Sequence, residues 1–331
     1  MIVVFTGGTG GTKLVQGLQQ VVAPENLTVM VNTGDDIEWW GLHISPDIDS
    51  VLYGLADLLS KDRGWGVEGD SFRCLDRMKQ LGQQGWFSLG DLDLATHLTR
   101  TALLRSGKSL SEATAELAKR FGIRVGVLPM SDQPVSTMLD TSMGTLTFQE
   151  YFVRERHQVD VQAVRFEGAE QARPAPGVIE SIESAEAIIF APSNPVTSIG
   201  PILAVPGIRE ALRATNAPVA AVSPIVGGAA VSGPAAQLMQ MNEWPASIAG
   251  VAQAYEDFLD VLVVDNADQE AISSQQSGFG RETELRASSH DLRTKSIQFL
   301  ATNTMMRTLD DKRNLAAFLL EACEVPQSAK A

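Results

Sequence analysis

The sequence is poor in cysteine, in histidine and in positive charge. Its 331 residues include 2 cysteines, 4 histidines and 26 lysine or arginine residues, against 40 aspartate or glutamate residues. Cys74 and Cys323 are too far apart for a disulfide framework or a metal-binding spacing, so we expect both to be small core side chains in a reducing cytosol. The net charge of -14 argues against nucleic acid as a partner, because affinity for a phosphate backbone needs clustered Lys and Arg.

The sequence also lacks any long apolar run. No stretch reaches the roughly 18 apolar residues of a membrane helix. The first run, residues 1–5, is too short for a signal peptide and has no basic residue before it. We therefore expect a cytoplasmic protein without a membrane partner. Dense His/Cys metal motifs and nucleophile triads are missing too, so covalent catalysis is not the first choice.

Several short apolar runs predict strands that are buried on both faces of a parallel sheet. They include residues 1–5 and 27–32, and further runs follow residue 122. Between them, amphipathic segments with good capping residues predict a helical insertion at about 47–122. The length alone allows one large domain or two modest ones. We predict an α/β fold, a single Rossmann-like domain over 1–331 with a mostly parallel sheet.

The segment GGTGGTK, residues 7–13, lies directly after the first predicted strand. It fails the Walker A pattern because Thr12 replaces the last glycine, and it fails G-x-G-x-x-G because Lys13 replaces the third. Glycines let backbone N–H groups approach an anion, and the following helix adds its positive end. The alternative is a turn without a ligand, and four glycines within five residues weigh against it. We predict a phosphate-binding loop.

Four carboxylates follow the second predicted strand within fifteen residues, namely Asp35, Asp36, Asp47 and Asp49. Carboxylates near a phosphate loop repel the phosphates unless a cation lies between them. Hard oxygen ligands of this kind select Mg²⁺. The alternatives are a solvated acidic loop and, for Asp47 or Asp49, capping of the helix that follows.

Aromatic and polar residues further along give more candidates. Trp39 and Trp40 suit the wall of a pocket for a flat ring, and they suit the core equally well. The sequence LGD places Gly90 and Asp91 at the start of a helix, where Asp91 as the N-cap is the simplest interpretation. His97 on the same helix has no partner carboxylate at a readable spacing, so we interpret it as structural.

Two loops after predicted central strands are rich in Ser, Asn, Gly and Pro. They are APSNPVTSIGPIL, residues 191–203, and SPIVGGAAVSGP, residues 223–234. Such loops are rigid and present backbone donors at the ligand edge of the sheet.

Eight motifs occur in the order typical of the 2-phospho-L-lactate transferase (CofD-type) family of coenzyme F-420 biosynthesis, which the chain resembles from residue 6 to about 235. They are GGTGGTK, NTGDD, SPDIDSVLYGLA, GWGVEGDSF, WFSLGDLDLATH, LPMSDQPVST, APSNPVTSIGPIL and SPIVGGAAVSGPA. One such motif would be weak evidence, but eight collinear motifs make the resemblance specific.

The resemblance implies Mg²⁺-dependent transfer of a phospholactyl or phosphoenolpyruvyl group from a guanosine-diphosphate-linked donor to the terminal ribityl hydroxyl of the deazaflavin FO, with release of GMP. The sequence does not decide whether the donor carries phospholactate, phosphoenolpyruvate or phosphoglycerate. We also expect a homodimer. Asp49 is implied as an FO contact, a metal ligand and a possible general base, with Asp35 and Asp36 as further metal ligands. The implied FO contacts are Asp49, Trp40, Ser88, Leu89, Gly90 and Asp91, and the nucleotide contacts are Gly8, Thr9, Gly10, Gly11, Thr12, Lys13, Asn32, Asp35, Asp36, Ser193, Asn194, Gly227 and Gly228.

The last motif departs from the family pattern, since Ala229 stands after Gly227 and Gly228 where a lysine is expected. Without that lysine, Lys13 and Mg²⁺ are expected to neutralise more of the negative charge on the donor's phosphates.

Two other functions compete with this interpretation. A related regulatory protein that binds a nucleotide sugar without transferase activity would need neither the Trp-rich segment nor the LGD segment. A dinucleotide-dependent oxidoreductase is disfavoured by the broken glycine pattern and by Asn32, which stands where an acidic residue would end the second strand.

Overall fold

The computed structural model describes residues 1–231, 233–272 and 296–325. The strands are β1 Ile2–Thr6, β2 Leu27–Val31, β3 Ile37–Trp39, β4 Leu42–Ile44, β5 Gly126–Pro129, β6 Ser136–Thr141, β7 Gly144–Thr147, β8 Val161–Glu167, β9 Ala187–Phe190, β10 Val219–Val222, β11 Ile225–Val226, β12 Ala229–Ala230, β13 Val261–Asp265 and β14 Gln298–Thr302. The helices are α1 Thr9–Val21, α2 Pro46–Leu55, α3 Arg73–Gln80, α4 Asp91–Arg105, α5 Leu110–Arg120, α6 Val178–Glu183, α7 Gly200–Ala204, α8 Ile208–Ala214, α9 Ala235–Met241, α10 Ile248–Ala254 and α11 Leu309–Ala322.

In the described part of the chain, the central sheet contains seven parallel strands in the order β14, β13, β10, β9, β1, β2, β5. Strand β1 pairs with β2 on one side and with β9 on the other. The strand order therefore reverses direction at β1, since β2 lies on one side of it and β9 on the other. In open α/β folds, ligands bind outside the carboxyl ends of the strands at such a point of reversal. The predicted α/β fold is confirmed. The antiparallel strand pairs lie apart, in small sheets of β3–β4, β11–β12 and β7–β6–β8.

The core lies on both faces of the sheet, as continuous apolar strands require. Val3 and Phe5 of β1 join one buried cluster, while Ile2 and Val4 join the other. Phe5 also stacks on Phe190 of β9 with ring centroids 4.7 Å apart. These contacts fix the carboxyl ends of β1 and β9 side by side.

Helices α2 to α5 occupy the connection between β2 and β5. Ile48, Val51 and Leu52 of α2 belong to the same buried cluster as Ile2 and Val4, so α2 packs directly onto the sheet layer. A third, smaller cluster lies beside the β3–β4 hairpin and α4; its buried members are Trp39, Ile44, Phe87, Leu89 and Leu94.

The two cysteines differ in environment. Cys323 is buried, as expected, whereas Cys74 is exposed, so the expectation of a core position is wrong for Cys74. Helix α3 buries Leu75 and leaves the neighbouring Cys74 outside the core. Within the described ranges, no helix combines the length and the apolar character needed to cross a membrane.

Candidate active site

The glycine-rich loop connects β1 to α1 and packs too tightly for side chains. A Cβ atom on Gly8 would lie 2.7 Å from Oδ1 of Asp47, and one on Gly10 would lie 2.7 Å from the carbonyl oxygen of Pro192. Gly8 is the N-cap of α1 and provides no side-chain hydrogen bond to it. The glycines therefore bring the helix start against a carboxylate and against the loop after β9.

The loop after β9 completes this edge of the sheet. The N–H of Gly7 donates to Oγ of Ser193 at 3.2 Å, which ties the two loops together. The side chain of Asn194 accepts from the N–H of Val196 at 2.9 Å and so shapes its own turn. Lys13 lies one turn into α1. Burial lowers the pKa of Lys312, and the positive charge of Lys13 lowers it further.

Asn32, at the end of β2, orients Asp47. Its Nδ2 donates to Oδ2 of Asp47 at 3.0 Å, and its Oδ1 accepts from the N–H of Gly34 at 2.8 Å. Burial raises the pKa of Asp47 to about 7, and the charge of Asp36 acts in the same direction. Burial, and then the charge of Asp47, hold the pKa of Asp35 well above its ordinary value. Asp35 and Asp47 therefore form a buried pair of interacting acids.

Asp36 has a different environment. Its Oδ2 accepts from Oγ of Ser45 at 2.7 Å and lies 3.0 Å from Nε2 of His43. Burial raises the pKa of Asp36 in spite of these contacts. Asp36 thus connects the β3–β4 hairpin, through His43, to the start of α2, through Ser45.

Asp49 forms a buried ion pair with Arg100 of α4. Nη1 of Arg100 donates to Oδ2 at 3.0 Å, and Nη2 donates to Oδ1. Asp49 is 4% exposed and Arg100 is 0% exposed. Burial would lower the pKa of Arg100, but the charge and hydrogen bonds of Asp49 outweigh it and raise that pKa. The guanidinium therefore stays charged beside the carboxylate.

The structure does not gather Asp35, Asp36 and Asp49 into a complete metal site. Within residues 1–231, 233–272 and 296–325, no group of three or more His, Cys, Asp or Glu side chains could hold a metal ion. Among the residues that the structure describes, no hydrogen-bond partner is present for Oδ1 of Asp35 or for Oδ1 of Asp36, and both oxygens are buried. A cation here would need oxygen ligands from a bound molecule as well.

His97 does have carboxylate partners, so the expectation of an isolated histidine is wrong. Its Nε2 lies 3.2 Å from Oδ1 of Asp93, one turn earlier on α4, and its Nδ1 lies 3.5 Å from Oδ2 of Asp49. The hydroxyl of Tyr53 donates to Asp93 at 2.6 Å. Burial would raise the pKa of Asp93, but its contacts with His97 and Tyr53 lower it. The spacing of four residues between Asp93 and His97 is the signal that was missed.

An open pocket of about 370 Å³, its mouth included, lies beside Asp49. Of the six predicted FO contacts, Asp49, Ser88 and Leu89 line this pocket. Its aromatic walls, formed by Tyr53, Trp65 and Phe87, were not among the predicted contacts. The residues lining the pocket are Ile44, Pro46, Asp49, Ser50, Tyr53, Trp65, Gly66, Phe87, Ser88, Leu89, Asp93 and His97.

The three other predicted FO contacts, Trp40, Gly90 and Asp91, have structural roles in the fold. Gly90 is the N-cap of α4, so the interpretation of Asp91 as that N-cap is wrong. The carboxylate of Asp91 instead accepts from the N–H of Cys74 at 2.9 Å and supports the start of α3. Trp40 is partly buried, and its Nε1 donates to the carbonyl oxygen of Gln84 at 3.1 Å.

Gly227 and Gly228 form the tight turn of the β11–β12 hairpin. Both have positive φ angles, 59° and 75°, which suit a two-residue hairpin turn. Their N–H groups donate to the carboxylate of Asp268 at 3.0 and 3.2 Å. The two amides predicted to contact a nucleotide are therefore bonded to an acidic side chain in this structure.

Known proteins match both the sequence and the fold. The family model described as 2-phospho-L-lactate transferase CofD matches residues 2–305. A 2-phospho-L-lactate transferase of Methanosarcina mazei is 46% identical over 268 residues, which cover 81% of this chain and 88% of that protein. A phosphoenolpyruvate transferase of Streptomyces griseus is 44% identical and covers 83% and 89%, respectively.

A crystal structure of a UPF0052 family member from Bacillus halodurans has the same fold, with a TM-score of 0.60, 18% identity and coverage of 96% of this chain and 98% of that one. The family match extends from β1 to beyond β14 and includes the glycine loop, the acidic segment and the Asp49 pocket. The chain belongs to the 2-phospho-L-lactate transferase CofD family.

Proposed function

We propose that this protein transfers a phospholactyl or phosphoenolpyruvyl group from a guanosine-diphosphate-linked donor to the terminal ribityl hydroxyl of FO, with release of GMP, in coenzyme F-420 biosynthesis. One observation carries the proposal. The first turn of α2 bears two carboxylates that serve different places: Asp47 lies against Gly8 of the glycine loop, whereas Asp49 lines the aromatic pocket. The turn thus lies between a site for phosphates and a site for a flat acceptor.

The donor site in this proposal is the edge formed by the glycine loop and the loop after β9. The start of α1 supplies N–H groups and the positive end of the helix, and Lys13 adds a positive charge one turn later. Relatives named for phospholactate and for phosphoenolpyruvate match this chain at similar identity. Both donors therefore belong in any test.

Asp35 and Asp47 fit the requirements of Mg²⁺ in this proposal. They are buried carboxylates, the charge of Asp47 raises the pKa of Asp35, and within the described ranges Oδ1 of Asp35 has no hydrogen-bond partner. Mg²⁺ typically takes one or two carboxylates and completes its shell with phosphates and water. A bound Mg²⁺ would neutralise charge on the donor's phosphates. Asp49 is less suited, because both of its oxygens already bond to Arg100, and Asp36 has only one oxygen that is not already bonded to Ser45 and His43.

The proposed acceptor site is the aromatic pocket. Tyr53, Trp65 and Phe87 provide apolar walls for the deazaflavin rings, while Ser88 and Asp49 provide polar contacts. The acceptor hydroxyl oxygen attacks the distal phosphorus of the donor, and the bond from that phosphorus to the oxygen of GMP breaks, so GMP leaves with the electron pair. The hydroxyl proton passes to Asp49, the proposed general base. Such transfers depend mainly on in-line positioning and charge neutralisation.

The variant Asp49→Asn tests the proposed role of Asp49. We expect turnover to fall by about 100-fold or more, because the amide cannot accept the hydroxyl proton. The matched control is Asp62→Asn, an exposed position on the loop beyond α2. Circular dichroism must show that both variants are folded. If Asp49→Asn kept the wild-type turnover, Asp49 would not be an active-site residue.

A further inference from the structure

We propose that Arg100 is a positioning residue, which fixes the carboxylate of Asp49 at the wall of the acceptor pocket with His97 as a second contact. This inference rests on the proposed function of Asp49. The pairing connects two helices, since Asp49 lies on α2 and Arg100 on α4.

The geometry leaves the Asp49 carboxylate little freedom. The planar guanidinium donates to both of its oxygens, and this bidentate arrangement fixes the orientation of a carboxylate better than a single bond does. A carboxylate has about four lone-pair positions, of which Arg100 occupies two. Because Asp49 also lines the pocket, we expect a remaining position to accept from a hydroxyl group bound there.

A row of side chains on α4 supports this pair. Asp93, His97 and Arg100 follow one another at spacings of four and three residues, so they lie on one face of the helix. His97 is 1% exposed, and its Nδ1 lies 3.5 Å from both Oδ2 of Asp49 and Nη1 of Arg100. Tyr53, one turn after Asp49 on α2, closes the network through its bond to Asp93.

The position of this network argues for more than a structural role. A buried ion pair contributes little net stability, because removing two charges from water costs about as much as their attraction returns. Apolar side chains of similar size would pack α2 on α4 at least as well. The pair instead lies where Asp49, Asp93, His97 and Tyr53 all line the same pocket. Orientation of Asp49 toward an acceptor explains that placement.

The test compares Arg100→Lys with Arg105→Lys, a control on the same helix whose side chain is exposed and bonds to the carbonyl oxygen of Gly41. Lysine keeps the charge but loses the bidentate contact. We expect kcat to fall by about 100-fold in Arg100→Lys, with KM for donor and acceptor within about threefold of wild type, because misplaced reacting groups lose rate rather than affinity. Arg105→Lys keeps wild-type kcat. Wild-type kcat in Arg100→Lys would overturn the inference.

A double-variant cycle separates positioning from general destabilisation. If Arg100 acts through Asp49, adding Arg100→Gln to Asp49→Asn causes no further loss of kcat, whereas independent effects would multiply. The double variant contains no unpaired buried charge at this site, so it is expected to fold. Multiplying effects contradict the inference. A wild-type protein that releases no GMP contradicts the proposed function instead.

A crystal structure of Arg100→Lys tests the inference without substrate. We expect the Asp49 carboxylate to be rotated from its wild-type orientation. An unchanged orientation contradicts the inference.

Discussion

Asp47 and Gly8 are in direct contact, and the contact joins the acidic segment to the glycine loop. The Asp47 carboxylate occupies the space that a side chain on residue 8 would need, with Oδ1 2.7 Å from the position of a Cβ atom. The backbone N–H of Gly8 acts to lower the pKa of Asp47, against the effect of burial. An acid and a phosphate loop can share this space only if the charge of the acid is controlled, by a proton or by a cation.

Replacing Gly8 by alanine tests the contact. The methyl group of Gly8→Ala displaces an Asp47 carboxylate that Asn32 holds on its other side, so we expect a loss of about 1–3 kcal/mol in unfolding free energy. We also expect KM for the donor to rise at least about tenfold, since the proposed cation site moves with Asp47. Denaturant unfolding and donor titrations measure the two effects. Gly82→Ala is the control, because Gly82 lies in the turn after α3 and its positive φ of 83° is unfavourable for alanine. It should lower stability without changing KM for the donor.

The raised pKa of Asp47 predicts how stability depends on pH. Burial raises that pKa to about 7, above the value of about 4 in an unfolded chain, so the folded protein binds the proton more tightly. The resulting stabilisation is complete below about pH 4 and is lost as the pH rises to about 7. For Asp47 it amounts to at most about 4 kcal/mol. Urea unfolding at several pH values without Mg²⁺ should show a shallower decline for Asp47→Asn. Equal declines in both proteins would contradict the assignment.

Addition of Mg²⁺ should reverse part of this loss. At pH 8, above the Asp47 pKa of about 7, the Asp47 carboxylate is mostly ionised. A cation that binds the folded state stabilises it by about 2.7 kcal/mol at a concentration 100 times its Kd. We expect Mg²⁺ to raise the Tm of the wild-type protein by several degrees and to have little effect on Asp35→Asn. Glu38→Gln, an exposed position close by, serves as the control and should respond like wild type. The same Mg²⁺ response in all three proteins would place the cation elsewhere.

The aromatic wall of the pocket predicts acceptor affinity. Trp65 lines the pocket while 40% of the side chain remains exposed, so Trp65→Ala should change stability little. We expect KM for FO to rise about tenfold, because stacking on a ring contributes about 1–3 kcal/mol, while KM for the donor stays unchanged. Steady-state kinetics with each substrate varied in turn distinguishes the two. Leu81→Ala, which removes an apolar side chain that is 67% exposed, is the control. An unchanged KM for FO would exclude Trp65 from the acceptor site.

The parts of the fold that depend on local pattern could be predicted from the sequence. Continuous apolar runs indicated buried parallel strands, and good capping residues indicated helices such as α5, which begins with a capping box of Ser109 and Glu112. The glycine loop was likewise placed correctly after the first strand. Each of these features involves neighbours in the chain.

The pairings across the site could not be read from the sequence. Asp49 and Arg100 are separated by 51 residues, and Gly227 and Asp268 by 41, so each pair forms only because distant elements pack together. No local pattern indicates such a contact. The pair of Asp93 and His97 is different, since a spacing of four residues on a predicted helix places two side chains on the same face.

One measurement tests the central claim most directly. The protein is mixed with FO, Mg²⁺ and either the phospholactyl or the phosphoenolpyruvyl donor linked to guanosine diphosphate, and released GMP is quantified together with the new phosphodiester. We predict one GMP for each phosphodiester formed with at least one donor, and none when FO or Mg²⁺ is omitted. Absence of GMP with both donors, together with tight binding of a UDP-sugar, would contradict the account and favour a nucleotide-sugar-binding regulatory protein.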